Sequence, residues 1–335
     1  MPFPARAILY HHTRGKQKIK AYPAKPRHRV EQVMKMNDVK KLPLHEAAYC
    51  LTPALRLAID QLPEQAARSA EELRLRVGQP PSLSCNGRET ALSCNAVTAA
   101  DLREIVARAA RESVHSYADS LRQGFLTLAG GHRIGICGTA KAENGVFEGV
   151  RQFGSLNIRI AKPVFGCARE AYEQCCREAP ASLVILSPPG HGKTTLLRDL
   201  IRCASAAGER VAVADERGEL AALRDGAPQF DLGGAADVLE LCAKKDAVMH
   251  LIKTMSPRIV ALDEITSAQD AAAVCYAANC GVEIFATAHA FGLEDFRRRA
   301  VYKPLLPVFS YAVEITLSDG ERACRVHPLK EGAPC

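Results

Sequence analysis

The sequence contains no tryptophan, and aromatic residues make up only 5% of its 335 positions. Proteins that bind single-stranded nucleic acid stack the bases on aromatic side chains, and this sequence offers no obvious platform of that kind. Long apolar runs are also missing, because no stretch approaches the roughly 18 residues that a membrane-spanning helix needs. The first residues lack the apolar core of a signal peptide. These absences predict a protein that is made and kept in the cytosol.

The thirteen cysteines show no spacing typical of a metal site or a disulfide framework. No two of them form a C-x-x-C pair, Cys175 and Cys176 are adjacent, and Cys275 and Cys280 fall in an apolar, helix-like run. The sequence therefore predicts reduced, mostly buried thiols.

Positive charge is concentrated at one end of the chain. The first 41 residues contain eleven Lys and Arg against two acids, whereas the whole chain has a net charge of +7, so the remainder is close to neutral. This composition predicts a basic, disordered tail over 1–43. Three interpretations stay open: a solvated tail, an arm that binds nucleic acid or an anionic membrane, and a start-site artefact, since Met34 and Met36 both precede a plausible helical start.

Residues 44–166 combine helical and strand patterns and predict an N-terminal α+β domain. The predicted elements are an amphipathic helical region at 44–70, strands at 73–77 and 155–161, a helix at 101–123, and a hairpin over 125–138 that turns at Gly130 and Gly131.

After residue 167, four short apolar runs alternate with helical stretches. The runs are 182–187, 210–215, 258–264 and 283–288, and the predicted helices are 168–178, 194–207, 237–255 and 268–280, with a core stripe of Val238, Leu241, Val248, Leu251 and Ile252. Strands that are apolar on both faces and alternate with helices are typical of a parallel sheet covered on both sides. Polar residues follow each run, and in such sheets ligands bind at the carboxyl ends of the strands.

The segment SPPGHGKTT (187–195) follows the first run and matches a phosphate-binding loop, except that Ser187 stands where the pattern has glycine. Glycines permit the backbone conformations that turn successive N–H groups toward an anion. Lys193 is predicted to reach the β- and γ-phosphates of ATP, and Thr194 to offer its hydroxyl to Mg²⁺. The predicted phosphate-binding residues are Pro189, Gly190, His191, Gly192, Lys193, Thr194 and Thr195. Because Ser187 is small and lies outside these residues, we expect the loop to tolerate it.

Acids at the ends of the neighbouring strands predict the rest of a catalytic site. Asp263 is predicted to hold Mg²⁺, and Glu264 to polarise an attacking water. Glu216 and Glu219 follow the second strand in DERGE (215–219), where acids would orient water or the metal, although an exposed salt-bridged turn remains an alternative. His289 follows the fourth strand, where it would sense the γ-phosphate through a hydrogen bond or serve only as a structural histidine.

Three arginines have less definite roles in the sequence. Arg217 is placed to face phosphate in its own subunit or in a neighbour. Arg133 and Arg159 fall on strands of the N-terminal domain, where two interpretations stay open: ordinary surface arginines, or contacts to a nucleotide phosphate at a cleft between the domains.

The order of these motifs resembles that of the secretion ATPases of type II and type IV systems, and more closely that of the stage III sporulation AA family. The resemblance covers about 50–325 and includes both predicted domains. It is carried by the phosphate-binding loop and by the stretches LRLRVGQP (73–80), LAGGHRIGICG (128–138), GSLNIRIAKP (154–163), VADERGELAA (213–222), the segment 231–265 and IFATAHA (284–290).

The resemblance implies an α/β, RecA/AAA-like P-loop fold over 167–330. It also implies a homo-oligomeric, hexameric ring that hydrolyses ATP with Mg²⁺. Its expected location is the cytoplasmic, mother-cell face of a channel between mother cell and forespore, with the membrane proteins of that stage III channel as partners and no nucleic acid. By resemblance, Lys193, Thr194, Asp263 and Glu264 carry the catalytic and metal roles, Glu216 and Glu219 an acidic-box role, and His289 a histidine-box role.

Two other functions remain open from the sequence. The basic tail is compatible with a nucleic-acid-associated ATPase, although the body of the chain is nearly neutral and lacks a basic stripe with interleaved aromatics. A non-hydrolysing nucleotide switch or scaffold is disfavoured because both Asp263 and Glu264 are present.

Overall fold

A computed structural model describes residues 42–110, 124–143, 145–318 and 321–329 of the chain. These described residues form one compact unit, which contains two β-sheets. Nearly all of the predicted basic tail, and the second half of the helix predicted at 101–123, lie outside the described residues. The domain boundary predicted at 166 falls in the segment between the last strand of the first sheet and the first strand of the second, and it stays a prediction.

The first sheet has six strands in the order β3-β2-β1-β6-β5-β4, and every neighbouring pair is antiparallel. The predicted hairpin is confirmed, because β4 pairs with β5 across the turn that contains Gly130 and Gly131. The strands are β1 (Ala70–Arg76), β2 (Ser82–Cys85), β3 (Arg88–Ala91), β4 (Phe125–Thr127), β5 (Arg133–Glu143) and β6 (Val146–Arg159).

Four helices supply apolar side chains to the core of this sheet. They are α1 (Pro43–Ala47), α2 (Pro53–Asp60), α3 (Glu64–Ser69) and α4 (Ala99–Ala110). The helical region predicted at 44–70 is thus three short helices, and prolines stand at its breaks. Pro53 occupies the first turn of α2, where its missing N–H costs nothing, and Pro63 immediately precedes α3.

The second sheet has seven strands in the order β13-β12-β7-β11-β10-β8-β9. All pairings are parallel except that of β12 with β13. The strand β7, which precedes the predicted phosphate-binding loop, lies between β12 on one side and β11 on the other. The strands are β7 (Leu183–Ser187), β8 (Val211–Asp215), β9 (Ala236–Glu240), β10 (Ile259–Ile265), β11 (Glu283–His289), β12 (Tyr311–Ser318) and β13 (Glu321–Pro328).

Helices cover both faces of this sheet, as predicted. Alternate residues of the central strands point into two separate apolar cores, one shared with α5 and α6 and the other with α7, α8 and α9. The helices are α5 (Arg169–Cys176), α6 (Lys193–Ala206), α7 (Lys244–Met255), α8 (Ala268–Asn279) and α9 (Leu293–Arg298). Among the described residues, no helix is both long and apolar enough to cross a lipid bilayer.

The helix predicted over 237–255 is wrong in its first part. Residues 236–240 form β9, which pairs in parallel with β8 at the edge of the sheet, and the helix begins only at Lys244. Leu241, predicted to lie in the core, has a φ of +59° and is 44% exposed. Pairing with a distant strand has overridden a local spacing that is compatible with a helix.

The turn at Gly130 and Gly131 joins the first sheet to the second half of the unit. The Gly130 N–H donates to Oε1 of Gln229 at 3.1 Å. Gly131 has a φ of +77°, and a Cβ atom placed on it would lie 2.5 Å from Cζ of Phe230. Glycine is needed here for its backbone conformation and for the closeness of the aromatic ring.

We predict that Gly131→Ala destabilises the protein more than Gly87→Ala does. Both glycines have a similar positive φ, but nothing lies within 4 Å of a Cβ placed on Gly87. The backbone strain common to both should cost about 1 kcal/mol. Overpacking against Phe230 should add roughly 1–3 kcal/mol at Gly131 alone. Urea denaturation of the two variants measures the difference, and equal losses of stability would contradict this account of the turn.

Candidate active site

The predicted phosphate-binding loop lies between the end of β7 at Ser187 and the start of α6 at Lys193. Gly190 and Gly192 have φ values of +78° and +99°, which lie in the left-handed region that glycine enters without steric cost. Gly192 is the N-cap of α6. The first N–H groups of a helix have no partner within it, and its positive end favours an anion. This arrangement suits the phosphates of a nucleotide.

The ammonium group of Lys193 has three hydrogen-bond partners. It donates to the carbonyl oxygens of Ser187 and Pro188, both at 3.0 Å, and to Nδ1 of His289 at 2.9 Å. Only 5% of the residue is exposed, and this burial lowers the pKa of Lys193, although the carboxylates of Glu264 and Asp263 oppose the shift. All three ammonium hydrogens are therefore used.

Ser187 contributes to this arrangement through its backbone. Its carbonyl accepts from Lys193, while its hydroxyl is buried and donates to the carbonyl of Pro188 at 3.0 Å. A glycine would offer the same carbonyl. The departure from the usual motif therefore leaves the contacts of Lys193 intact.

His289 connects Lys193 to Glu264. An ammonium group can only donate, so Nδ1 of His289 must accept and the ring hydrogen of the neutral tautomer is on Nε2. Nε2 lies 3.1 Å from Oε1 of Glu264 and donates to it. The loop of β7, the end of β11 and the end of β10 are thus joined by one chain of hydrogen bonds.

Thr194 and Asp263 form the predicted metal pair. The Thr194 hydroxyl donates to Oδ2 of Asp263 at 2.7 Å, across the gap between the start of α6 and the end of β10. A hydroxyl and a carboxylate are the hard oxygen ligands that Mg²⁺ prefers. The two residues fit such an ion, which would take its remaining ligands from phosphate and water.

The backbone at Glu264 is strained. Its φ is +52°, and the register between β10 and β11 shifts between Leu262 and Ile265. The resulting bulge lets Asp263 and Glu264, which are adjacent, both direct their carboxylates into the site. Thr287 on β11 supports it, because its hydroxyl accepts from the Glu264 N–H at 2.8 Å and donates to Oδ1 of Asp263.

The acidic segment after β8 is organised around Asp215. This carboxylate is 1% exposed and accepts from the backbone N–H groups of Glu219, Leu220 and Ala221 at 2.8–2.9 Å. Burial raises the pKa of Asp215, although these N–H groups act in the opposite direction. Asp215 therefore fixes the backbone of residues 219–221 in this segment.

The side chains of this segment point to different places. Arg217 pairs with Oε2 of Glu264 at 2.6 Å, and Glu219 lines the cleft and pairs with Arg133 at 3.2 Å. Glu216 does not line the cleft and instead pairs with Lys244, which is buried at the start of α7. A catalytic role for Glu216 gains no support from this position.

A cleft of about 590 Å³ opens between the first sheet and the phosphate-binding loop. Its lining includes Arg133 and Arg159. This position matches the interpretation that the two arginines contact a nucleotide phosphate in a cleft. The side chain of Arg133 is only 15% exposed and also donates to the carbonyls of Arg217 and Gly218. Glu264 and His289 line the same cleft. So do six of the seven predicted loop residues, namely Pro189, Gly190, Gly192, Lys193, Thr194 and Thr195.

Sequence reasoning missed Arg198. It donates to the carbonyls of Glu219 and Leu220 at 2.7 and 2.9 Å, and it lies 3.8 Å from the ring centre of Phe230. Its position four residues after Thr194 places it on the same face of α6, which is the signal that would have found it.

Known proteins resemble most of this unit in sequence. The family model described as "Sporulation stage III, protein AA" matches residues 48–331. Stage III sporulation protein AA of Bacillus subtilis (strain 168) is 34% identical over 267 residues, which are 78% of this chain and 87% of that protein. Protein SEEDLING PLASTID DEVELOPMENT 1 of Arabidopsis thaliana is 26% identical over 308 residues, 83% of this chain but only 42% of the plant protein.

Solved structures show the same fold at low identity. The ATPase DotB of Legionella pneumophila matches with a TM-score of 0.54 and 15% identity, over 81% of this chain and 80% of DotB. The pilus retraction motor PilT, solved with bound ADP, matches with a TM-score of 0.56 and 14% identity, over 78% of this chain and 80% of PilT. The predicted fold class is confirmed.

We predict that Thr287→Val destabilises the protein by about 1 kcal/mol, because it removes the hydroxyl that accepts from the partly buried N–H of Glu264 and donates to Asp263. The N–H keeps only its contact with Oδ1 of Asp263 at 3.1 Å. Thr52→Val is the matched control. Thr52 is also buried, but its hydroxyl has no hydrogen-bond partner among the described residues, so this change should be neutral or stabilising. Urea denaturation compares the two variants. Equal effects would show that the Thr287 hydroxyl does not support the bulge.

We also predict that Glu240→Gln changes how stability depends on pH. Burial, helped by the nearby Asp215, raises the pKa of Glu240 from 4.5 to about 7. The folded protein then binds this proton more tightly than the unfolded chain, so the free energy of unfolding should fall as pH rises from about 4.5 to 7. In Glu240→Gln this carboxyl group is absent, so the free energy of unfolding should fall less over the same pH range. Urea midpoints at several pH values test this, and identical slopes for the two proteins would contradict it.

Proposed function

The chain belongs to the family of sporulation stage III protein AA, and we propose that it is a Mg²⁺-dependent ATPase that powers a membrane-associated complex during sporulation. The observation that carries this proposal is the hydrogen-bonded chain from Lys193 through His289 to Glu264, beside the Thr194–Asp263 pair. Few functions other than phosphoryl transfer need a buried ammonium, an anion-binding loop and two strand-end acids in one place.

ATP binds with its phosphates over the loop and the positive end of α6. Lys193 exchanges the carbonyls of Ser187 and Pro188 for phosphate oxygens, which are stronger acceptors because they are charged. Thr194 and Asp263 hold Mg²⁺, which when bound offsets the negative charge that develops on the phosphates.

Glu264 is the general base. It accepts a proton from the water that attacks the γ-phosphate, while the bond from the γ-phosphorus to the bridging oxygen breaks and ADP leaves. His289 donates to Glu264 and accepts from Lys193, so it fixes the position of the Glu264 carboxylate relative to the ammonium group of Lys193. Arg217 pairs with the other carboxylate oxygen of Glu264, and this carboxylate keeps acceptor sites for the attacking water.

The chain acts as a homo-oligomeric ring, which we propose to be a hexamer. The similarity in fold to DotB and PilT supports a motor, and the family relationship supports partners among the membrane proteins of the stage III sporulation channel. The protein would then be attached to the cytoplasmic face of that complex. Arg133 and Arg159 line the cleft and are positioned to complete the site on the phosphate side.

We predict that Glu264→Gln lowers Mg²⁺-dependent ATP turnover by at least about 100-fold and leaves ATP binding intact, because only the proton acceptor is lost. The full chain is assayed at several protein concentrations, and turnover per chain should rise with concentration if a ring is needed. Glu294→Gln serves as the matched control, since this acid is 79% exposed on α9.

Equal binding without turnover in the unmodified protein and in Glu264→Gln would replace this proposal with a nucleotide-dependent scaffold. Turnover that is retained in Glu264→Gln would remove Glu264 as the base.

A further inference from the structure

An arginine of the β12–β13 hairpin lies against the phosphate-binding loop. A Cβ atom placed on Gly192 would lie 3.6 Å from Nε of Arg322 and 3.8 Å from its Cδ and Cζ atoms. Arg322 is exposed, and it forms no hydrogen bond or ion pair with the residues that the structure describes. A cation beside the positive end of a helix is repelled by it. The position therefore favours an anion that both groups can share.

The same hairpin presents an apolar side chain next to this arginine. Tyr311, Val313 and Ile315 alternate along β12 and are buried in the core shared with α6. Leu317 is the next residue on that face but is 49% exposed. The register pairs Leu317 directly with Arg322, so the two side chains are neighbours on one face of the hairpin.

The hairpin extends past the strand that leads into the loop. Pairing between β12 and β7 ends at Glu314 and Leu186, so Leu317 lies roughly 10 Å further along the strand direction, at about 3.3 Å per residue. This brings the pair of Leu317 and Arg322 to the level of the loop and the start of α6.

The sheet order separates this hairpin from the catalytic residues. Glu264 and His289 come from β10 and β11, on one side of β7, whereas β12 and β13 lie on its other side. The γ-phosphate must lie near Glu264, and the phosphate chain then extends away from it along the loop. The nucleoside is thereby directed toward the hairpin.

We propose that the β12–β13 hairpin holds the nucleoside end of the nucleotide, with Arg322 on the α-phosphate and Leu317 against the face of the base. The inference rests on the proposed function, because it concerns the same bound ATP. Arg322 and Leu317 then help to determine which nucleotide binds, from the side of the site opposite to Glu264.

Binding of Mg·ADP and of inorganic tripolyphosphate to the full chain tests this by calorimetry. Arg322→Ala should weaken both ligands about tenfold, because it removes a charge-assisted contact to phosphate. Leu317→Ser should weaken ADP several-fold and leave tripolyphosphate unchanged, since only ADP carries a base. Arg325→Ala is the matched control, because this exposed arginine is on the opposite face of β13 and should change neither affinity.

Thermal denaturation of each variant shows whether it is folded, and both side chains are exposed enough for the substitutions to be tolerated. Lys193→Ala shows whether the measured binding occurs at this site. If the unmodified chain binds ADP and neither hairpin variant changes its affinity, the inference is wrong while the proposed function stands. Loss of self-association with unchanged ADP affinity would also overturn it, because the hairpin would then contact a second copy. If the unmodified chain binds no nucleotide, the proposed function itself fails.

Discussion

The rest of the site depends on how the ammonium group of Lys193 is held. A buried charge is costly unless every hydrogen finds an acceptor. The acceptors here are two carbonyls at the end of β7 and a ring nitrogen at the end of β11. Because the histidine must accept from Lys193, it donates to Glu264, and this fixes the carboxylate of the proposed base. The placement of β11 between β7 and β10 brings these three strand ends together in sequence across the sheet.

A second set of contacts connects this centre to the first sheet. Arg133 on β5 donates to the backbone on either side of Gly218, and the adjacent Arg217 pairs with Glu264. The acidic segment that carries these groups is held by Asp215 beneath it and by Arg198 from α6. Movement of the first sheet relative to the loop would displace Arg217, which is the ion-pair partner of Glu264. In a motor, that contact provides a physical route by which domain position affects hydrolysis.

Much of this site could be predicted from the sequence because its signals are local. A glycine-rich turn between a strand and a helix, and acids at the ends of buried strands, predicted that Lys193, Thr194, Asp263, Glu264 and His289 would meet, and the described geometry brings them together. Their roles remain predictions. The roles of Arg133, Arg198 and Glu216 depend on partners far away in the chain, which periodicity does not indicate. The same limit explains β9, where pairing with β8 overrides helical spacing. It also explains the β12–β13 hairpin, which lies outside the sequence predictions although Tyr311, Val313 and Ile315 alternate in YAVEIT (311–316).

The most direct test is an experimental structure of the full chain with Mg²⁺ and a non-hydrolysable ATP analogue. The account predicts that Nζ of Lys193 leaves the carbonyls of Ser187 and Pro188 and lies within hydrogen-bond distance of the β- and γ-phosphate oxygens. It also predicts that the metal lies beside Thr194 and Asp263. A nucleotide bound elsewhere, or a Lys193 that keeps both carbonyls while the analogue is bound, would contradict the claim that these strand ends form a phosphate-binding centre.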